Sequence, residues 1–462
     1  MALSPSRHVA GRDSRREGWI RYTGETFAIA QSIPTFTWRC SNTHCGMNIP
    51  SLGAPRFKSP LNRAVSDEGR IPERIEIGAA PGLEFELAGP RSQLFFDPGQ
   101  TRAGIVTCGG LCPGLNNVIR SLFLELHFGY GVAEVIGFRG GYSGLDPKCG
   151  LEPITITPEC VHEIHQRGGT ILGSSRGPVD IPTAVENLIQ RKINILFTVG
   201  GDGTQRGGNA IFQEASRRGH ALAVVGVPKT IDNDVGFVAR TFGYLTAVEE
   251  ACRVLDCAHT EASSVPGGIG LVKLMGRHAG FITAGATVAS QDVNFALIPE
   301  VPFALDGERG FLAVLKDRIQ RRGHAVIAVA EGAGQDLLQA GTADCDASGN
   351  VKLKDIGLFL RERIEAHFKA EGIPVVMRYF DPSYQIRSRP ANCEDAIICD
   401  LFARAAVHAA MAGKTGLVIG YLHNRFIHIP IELLATHVKR LDTASGWWHS
   451  VLAATGQPQR FE

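Results

Sequence analysis

The stretch Ile193-Asn-Ile-Leu-Phe-Thr-Val199 is apolar and breaks at once into Gly200-Gly-Asp-Gly-Thr204. An apolar run of strand length closed by glycines predicts a buried strand that turns sharply into the next element, a helix from Gln205. Such a junction aims backbone N–H groups and a helix dipole at one spot, where anionic oxygens dock. Asp202 is the carboxylate inside that turn, and among phosphates it is best accommodated by a bridging divalent cation. A second apolar run, Ala221–Val227, ends in Pro228-Lys-Thr-Ile-Asp-Asn-Asp234. It brings Lys229, Thr230, Asp232 and Asp234 to the same edge of the sheet. Each stretch alone is also compatible with a tight connection or a solvated turn. At consecutive strand ends, the two are the equipment of a phosphoryl-transfer site.

The same punctuation recurs along the chain. Ala103–Thr107 is a short apolar strand opening into Cys108-Gly-Gly-Leu-Cys-Pro-Gly114 and a helix over 115–126. This strand–glycine loop–helix unit is a nucleotide-phosphate site by type, although the G-x-G-x-x-G dinucleotide pattern is missing. A strand at 132–138 ends in Arg139-Gly-Gly-Tyr142, and a later glycine loop carries Arg167 and Arg176. A helix at 243–263 leads to further strands at 269–274, 295–298 and 325–330, which present Met275, Arg277 and Glu331 at their ends. Residues 334–350 are polar and predict an excursion, and 395–411 predicts a long helix. Gly413-Lys414-Thr415 resembles the end of a Walker A loop, but His408 stands where that loop needs glycine. Strands alternating with helices predict an α/β fold of two doubly wound, Rossmann-like domains with mainly parallel sheets.

Composition sets bounds. With 462 residues, 44% hydrophobic and 20% charged, the chain is long enough for two domains with large cores. A formal net charge of +1 offers no general attraction for polyanions, so no nucleic-acid partner is expected. No apolar run reaches spanning length, so no membrane is expected either. Eleven scattered cysteines without a paired metal pattern point to a reducing compartment. Residues 1–46 are rich in arginine, serine and threonine but contain Asp13, Glu17 and Glu25, which a transit peptide avoids. We expect a disordered extension there, with Met47 as an alternative start.

Five ordered motifs together resemble the 6-phosphofructokinase family, specifically its plant-like and protist-like ATP-dependent group. They are Gly109-Gly110…Pro113-Gly-Leu-Asn116, Gly169-Thr-Ile-Leu-Gly173…Arg176, Gly200–Thr204, Lys229–Asp234 and Met275-Gly-Arg277. The resemblance runs from about Ser51 to about Ile431. It implies transfer of the ATP γ-phosphoryl group to the 1-hydroxyl of fructose 6-phosphate, a glycolytic step, in a cytoplasmic homo-oligomer, dimer or tetramer. Asp232 would be the general base, with Lys229, Thr230 and Arg277 around the transferred group, and Asp202 would hold Mg²⁺. Gly110, Arg139, Arg176, Gly177, Gly201, Asp202, Gly203 and Thr204 would form the nucleotide site. Thr230, Ile231, Asp232, Met275, Gly276, Arg277, Glu331, Arg378, Tyr384, Gln385, Ile386 and Arg387 would hold the sugar phosphate.

The same resemblance implies a family N-terminal segment at 47–98. It implies a nucleotide domain from 99–243 plus 386–435, and a sugar-phosphate domain from 244–385 plus 436–462. Three positions depart from the bacterial pattern: Tyr384 replaces a histidine, Gly268 an interface arginine and Leu124 an effector-site arginine. Two donor markers disagree, because pyrophosphate-using relatives place an aspartate at the position of Gly203 yet share the lysine at Lys229. Gly203 carries more weight, since a missing carboxylate leaves room for ATP. A pyrophosphate-dependent enzyme and a non-catalytic regulatory subunit stand as the alternatives.

Overall fold

Ile195–Gly200 forms a strand in which every residue is buried. It pairs in parallel with Ala223–Pro228 on one side and Arg102–Thr107 on the other. Leu417–Leu422 and Glu134–Gly137 extend the parallel set outward. Arg425–Pro430 and Ala80–Leu87 continue it with antiparallel pairings at one edge. A parallel strand covered on both faces needs apolar side chains at every position, which is why these runs do not alternate with polar residues. Ile105, Phe197 and Val225 enter one core, while Val106, Leu196 and Val224 enter another on the opposite face.

Register places the site. Thr107 lies opposite Val199, and Pro228 opposite Gly200, so three carboxyl ends finish level. The strands that follow Arg102–Thr107 in the chain go first to one side of it and then to the other. That reversal opens a crevice at the strand ends, where ligands of doubly wound sheets bind. A second sheet has four parallel strands in the order Phe295–Leu297, His324–Ala330, Gly268–Leu274, Val376–Phe380. Its inner residues Val272, Leu274, Val326 and Ala328 share the first sheet's core, and Ile269, Leu271, Ile327 and Val329 build a separate outer one.

Two helices, Tyr244–Ser263 and Cys393–Met411, contribute to the shared core and are tied to each other. Buried Asp395 accepts hydrogen bonds from the Thr246 amide (2.7 Å) and hydroxyl (2.6 Å). Gly243 precedes the first of these helices at φ +85°, and a Cβ there would stand 2.3 Å from Cys112 Sγ, so backbone conformation and space both require glycine.

This computed structural model describes residues 45–46, 49–61, 75–77, 80–177, 179–338, 352–434 and 438–462. The extension expected over 1–46 lies outside the described residues up to 44, and the excursion expected over 334–350 lies outside them from 339 on. The compact unit runs from His44 to Glu462. Two helices and three strands differ from expectation. The helix after Gly201 begins at Asp202, because the aspartate itself takes the first turn. The helix from Leu115 is α-helical only to Leu124 and then widens into a π-helical turn over Glu125–Tyr130, where Glu125 turns inward to pair with Arg404. The strands at 80–87, 417–422 and 425–430 add to the sheet without having been anticipated.

Candidate active site

Gly201 caps the helix Asp202–Arg217 with no side-chain hydrogen bond; its carbonyl takes the Thr204 amide at 2.9 Å, which leaves the amides before Thr204 to a group outside the helix. Gln205 holds the turn from beneath. Its buried amide nitrogen donates to the Gly200 carbonyl at 2.9 Å and to the Thr198 carbonyl at 3.3 Å. The Tyr142 hydroxyl donates to the Thr204 carbonyl at 2.5 Å and braces the same turn from the side. The result is a rigid anion cradle at the carboxyl end of the strand.

Three cations surround the facing glycine pair. Lys229 is 7% exposed, and its Nζ donates to the Gly110 carbonyl at 2.7 Å. A Cβ on Gly110 would lie 3.1 Å from Arg176 Nη2 and 3.2 Å from Arg387 Nη1, so guanidinium groups from distant parts of the chain converge there. A side chain at this point would fill the space an anion needs. Burial, reinforced by Arg176, holds the Lys229 ammonium below its ordinary value.

The carboxylates lie across the cleft. The 230–241 loop is braced internally. Asn233 adopts φ +55°, a conformation asparagine tolerates, and its Oδ1 accepts from the Thr241 amide at 3.0 Å. The Thr241 hydroxyl donates to the Thr230 carbonyl at 2.8 Å, and the Asp232 amide donates to the Thr230 hydroxyl at 3.1 Å. Asp232 Oδ1 is buried with no hydrogen-bond partner. Burial, then Asp234, then Glu331 push its carboxyl well above the usual range, against the Arg277 amide and Lys229. Asp202 is raised by partial desolvation and by Asp234, and Glu331 by burial opposed by Arg277 and Lys273. Opening toward solvent on one side leaves the Asp202 side chain accessible although its flanks are crowded.

These groups line one cleft of about 670 Å³. It brings together Gly110, Arg176, Gly177, Gly201, Asp202, Gly203, Thr204, Lys229, Thr230, Ile231, Asp232, Met275, Arg277, Glu331 and Arg387. Gly276 is buried at φ +129° between Met275 and Arg277. Arg139 is exposed and outside the cleft lining. Arg378 is also outside, paired with Glu261 at 3.2 Å on the surface. Tyr384 is 75% exposed and carries the Arg387 guanidinium over its ring at 4.7 Å, while Gln385 is exposed and Ile386 fully buried. Sequence reasoning missed Cys108, Tyr142, Ser175, Arg206 and His278, which also line the cleft. A helix start at Asp202 would have revealed Arg206, four residues on and therefore on the same face.

A doubly wound α/β chain whose strand ends hold an amide cradle, three convergent cations and a buried carboxylate belongs to the phosphoryl-transfer class. The comparisons are more specific. The family profile described as Phosphofructokinase matches residues 102–410. The ATP-dependent 6-phosphofructokinase of Amycolatopsis methanolica is 44% identical over 439 residues, covering 90% of this chain and 95% of the relative. The ATP-dependent 6-phosphofructokinase of Trypanosoma brucei brucei is 50% identical over 377 residues, covering 81% and 76%. Among solved structures, the pyrophosphate-dependent phosphofructokinase of Marinobacter aquaeolei superposes with a TM-score of 0.63 at 21% identity, covering 78% of this chain and 93% of that one. The chain belongs to the phosphofructokinase family.

Proposed function

We propose that the protein is an ATP-dependent 6-phosphofructokinase, transferring the γ-phosphoryl group of ATP to the 1-hydroxyl of fructose 6-phosphate. The observation that carries the reading is the Asp232 Oδ1 atom, a buried carboxylate oxygen without a partner in a cleft otherwise rich in cations. A group left unsatisfied at such cost has a use, and accepting the proton of an attacking hydroxyl is the one its raised basicity suits. Lys229, Arg176 and Arg277 would neutralise charge that develops on the transferred group, and the amides at Gly201–Gly203 would hold the donor's phosphates. Glu331 and Arg387 would hold the sugar hydroxyls and the 6-phosphate, with Arg387 stacked on Tyr384. A role for Arg139 or Arg378 has no support from cleft geometry in the single chain.

Mg²⁺ fits the residues present. No cluster of three or more ligand side chains lies among the described residues, so an all-protein cage is not on offer. Magnesium is usually held by one or two carboxylates plus substrate phosphates and waters. Asp202 faces the cleft, and its repulsion with Asp234 is what a cation would relieve. When bound there, the ion would offset charge on the donor phosphates.

Donor choice follows from Gly203, where a Cβ would meet only Arg206 Nη2, at 3.8 Å. The cradle therefore has room beside Asp202, which suits a donor larger than pyrophosphate. We further propose a cytoplasmic homo-oligomer; the cysteines from Cys108 to Cys257 and at Cys393 and Cys399 are free thiols, as suits a reducing compartment. No helix among the described residues is long and apolar enough to cross a membrane. The test is fructose 6-phosphate phosphorylation assayed with ATP and with pyrophosphate side by side. Turnover with ATP is expected; turnover with pyrophosphate alone would overturn the donor, and none with either would overturn the enzyme.

A further inference from the structure

Gly268–Leu274 is a central strand of the second sheet, and Lys273 is the only charged residue in it. A lysine in a buried parallel strand is costly unless it is paired. Here Lys273 Nζ meets two carboxylates at once, Asp355 Oδ2 at 2.6 Å and Asp381 Oδ2 at 2.8 Å, with its side chain 12% exposed. Neither acid is idle. Asp355 Oδ1 caps the helix Ile356–Ala370 by accepting from the Leu358 amide at 3.0 Å, and it accepts from the Tyr379 hydroxyl at 3.4 Å. Asp381 Oδ1 accepts from the amide (3.3 Å) and the hydroxyl of Ser383.

Both arms of this cluster reach cleft residues. Beyond Asp381, the turn closes through the Gln385 and Ile386 amides on the Pro382 carbonyl at 2.8 and 3.1 Å. It delivers Arg387 to the cleft. Beyond Asp355, the neighbouring Lys354 carbonyl accepts from Gln335 Nε2 at 3.0 Å, and the same nitrogen donates to the Glu331 carbonyl at 2.8 Å. Glu331 also lines the cleft, whereas Lys273, Asp355 and Asp381 do not.

We infer that Lys273 is a positioning residue for the acceptor half of the site, fixing where Arg387 and Glu331 stand through Asp381 and Asp355. The inference rests on the proposed reading that these two residues hold the phosphorylated sugar. The donor cradle is built from other elements, the helix Asp202–Arg217 and the loops at Gly109 and Lys229; among the described residues no hydrogen bond joins it to Lys273, Asp355 or Asp381, although Arg387 also stands over Gly110. Loss of the ammonium should therefore loosen acceptor binding more than donor binding. Displacements near 1 Å at a binding group can cost up to about 100-fold.

The test is steady-state kinetics of full-length Lys273→Met, Lys273→Arg and Asp381→Asn, with melting temperatures measured alongside. Lys273→Met and Asp381→Asn should each raise KM for fructose 6-phosphate by roughly 10- to 100-fold. KM for ATP should stay within about twofold, with kcat changed less than the acceptor KM. Lys273→Arg, which keeps the charge, should recover part of the loss. Lys273→Met combined with Asp381→Asn should lose less than the product of the single losses, because both changes remove the Lys273–Asp381 pair. A lower melting temperature with both KM values unchanged would make Lys273 purely structural and overturn the inference. Equal rises in both KM values would overturn it as well. Should Lys273→Met fail to fold, Asp381→Asn decides on the same criteria. Absence of fructose 6-phosphate phosphorylation in the wild type is a separate result that removes the proposed function itself.

Discussion

Asp232 and Gly203 carry most of the functional argument at the scale of single residues, one by what it holds and the other by what it lacks. If Asp232 accepts the hydroxyl proton, Asp232→Asn keeps the shape of the loop but loses turnover by roughly 10²–10⁴-fold, while calorimetry still detects sugar-phosphate binding. Near-normal turnover would remove the assignment. The sign of the pH dependence follows from the raised carboxyl. The base acts only when deprotonated, so kcat should fall as pH drops through an inflection above the ordinary aspartate value of about 4. Gly203 has no positive φ and open space at its Cβ, so Gly203→Asp can be accommodated. The new carboxylate would face the donor's phosphates, at a cost of about 1 kcal/mol at 4 Å in water and several times that in a drier cleft. Arg206 stands beside the new group and offsets part of its charge. We therefore expect kcat/KM for ATP to drop by roughly tenfold in Gly203→Asp, and by more in Gly203→Asp with Arg206→Gln. Unchanged ATP use in the double variant would show that this position does not control the donor.

Glycine-closed apolar runs announce strand ends at the scale of elements, and at Gly200, Pro228 and Leu274 the strands stop where their sequence does. That is why the cradle, the Lys229–Asp234 loop and the Met275–Arg277 turn were legible in the sequence. What could not be read was sideways reach. Arg139 follows a strand just as Asp202 does, yet it is exposed and outside the cleft lining, while Tyr142 three residues on braces Thr204. No local pattern separates those two outcomes, since both depend on how the neighbouring helix packs. The strands at 80–87 and 425–430 were missed because polar residues interrupt their apolar runs, Glu84 and Glu86 in the first and His428 in the second. The packing of the helix Leu115–Leu124 against Cys393–Met411 leads to a prediction of its own. Buried His408 meets the Tyr130 hydroxyl at 2.8 Å, and burial, then Arg404 and Arg91, hold its pKa down to about 4. A depressed histidine favours the neutral form in the fold, so its contribution is complete above the unfolded value of about 6.5 and is lost as pH falls from there toward 4. Urea titrations should show stability declining across that window by up to about 3 kcal/mol from this group. His408→Gln should shrink the decline, and an unaltered slope would mean that other groups govern it.

One apolar core serves both sheets at the scale of the whole molecule, and this decides how the protein should come apart. Phe197 and Val225 from the first sheet, Val272 and Val326 from the second, and Ala251 and Phe402 from the intervening helices belong to a single buried cluster. The outer cores, around Leu196 and Ile327, each cover only one far face. Two domains that each had a complete core could unfold separately, but here neither sheet can lose its inner face without exposing the other's. Unfolding of the unit from His44 to Glu462 should therefore be one cooperative transition rather than two. The cleft strengthens the expectation, because Arg176 and Arg387, far apart in the chain, stand over the same glycine. A ligand spanning them couples to the whole transition, adding about 2.7 kcal/mol at a hundredfold excess over its Kd. Differential scanning calorimetry should show a single peak without ligand, moved upward as one peak by fructose 6-phosphate and also by a non-hydrolysable ATP analogue with Mg²⁺. Two resolved peaks, with fructose 6-phosphate moving only one of them, would mean that the shared core is too weak to join the sheets and that each half stands alone.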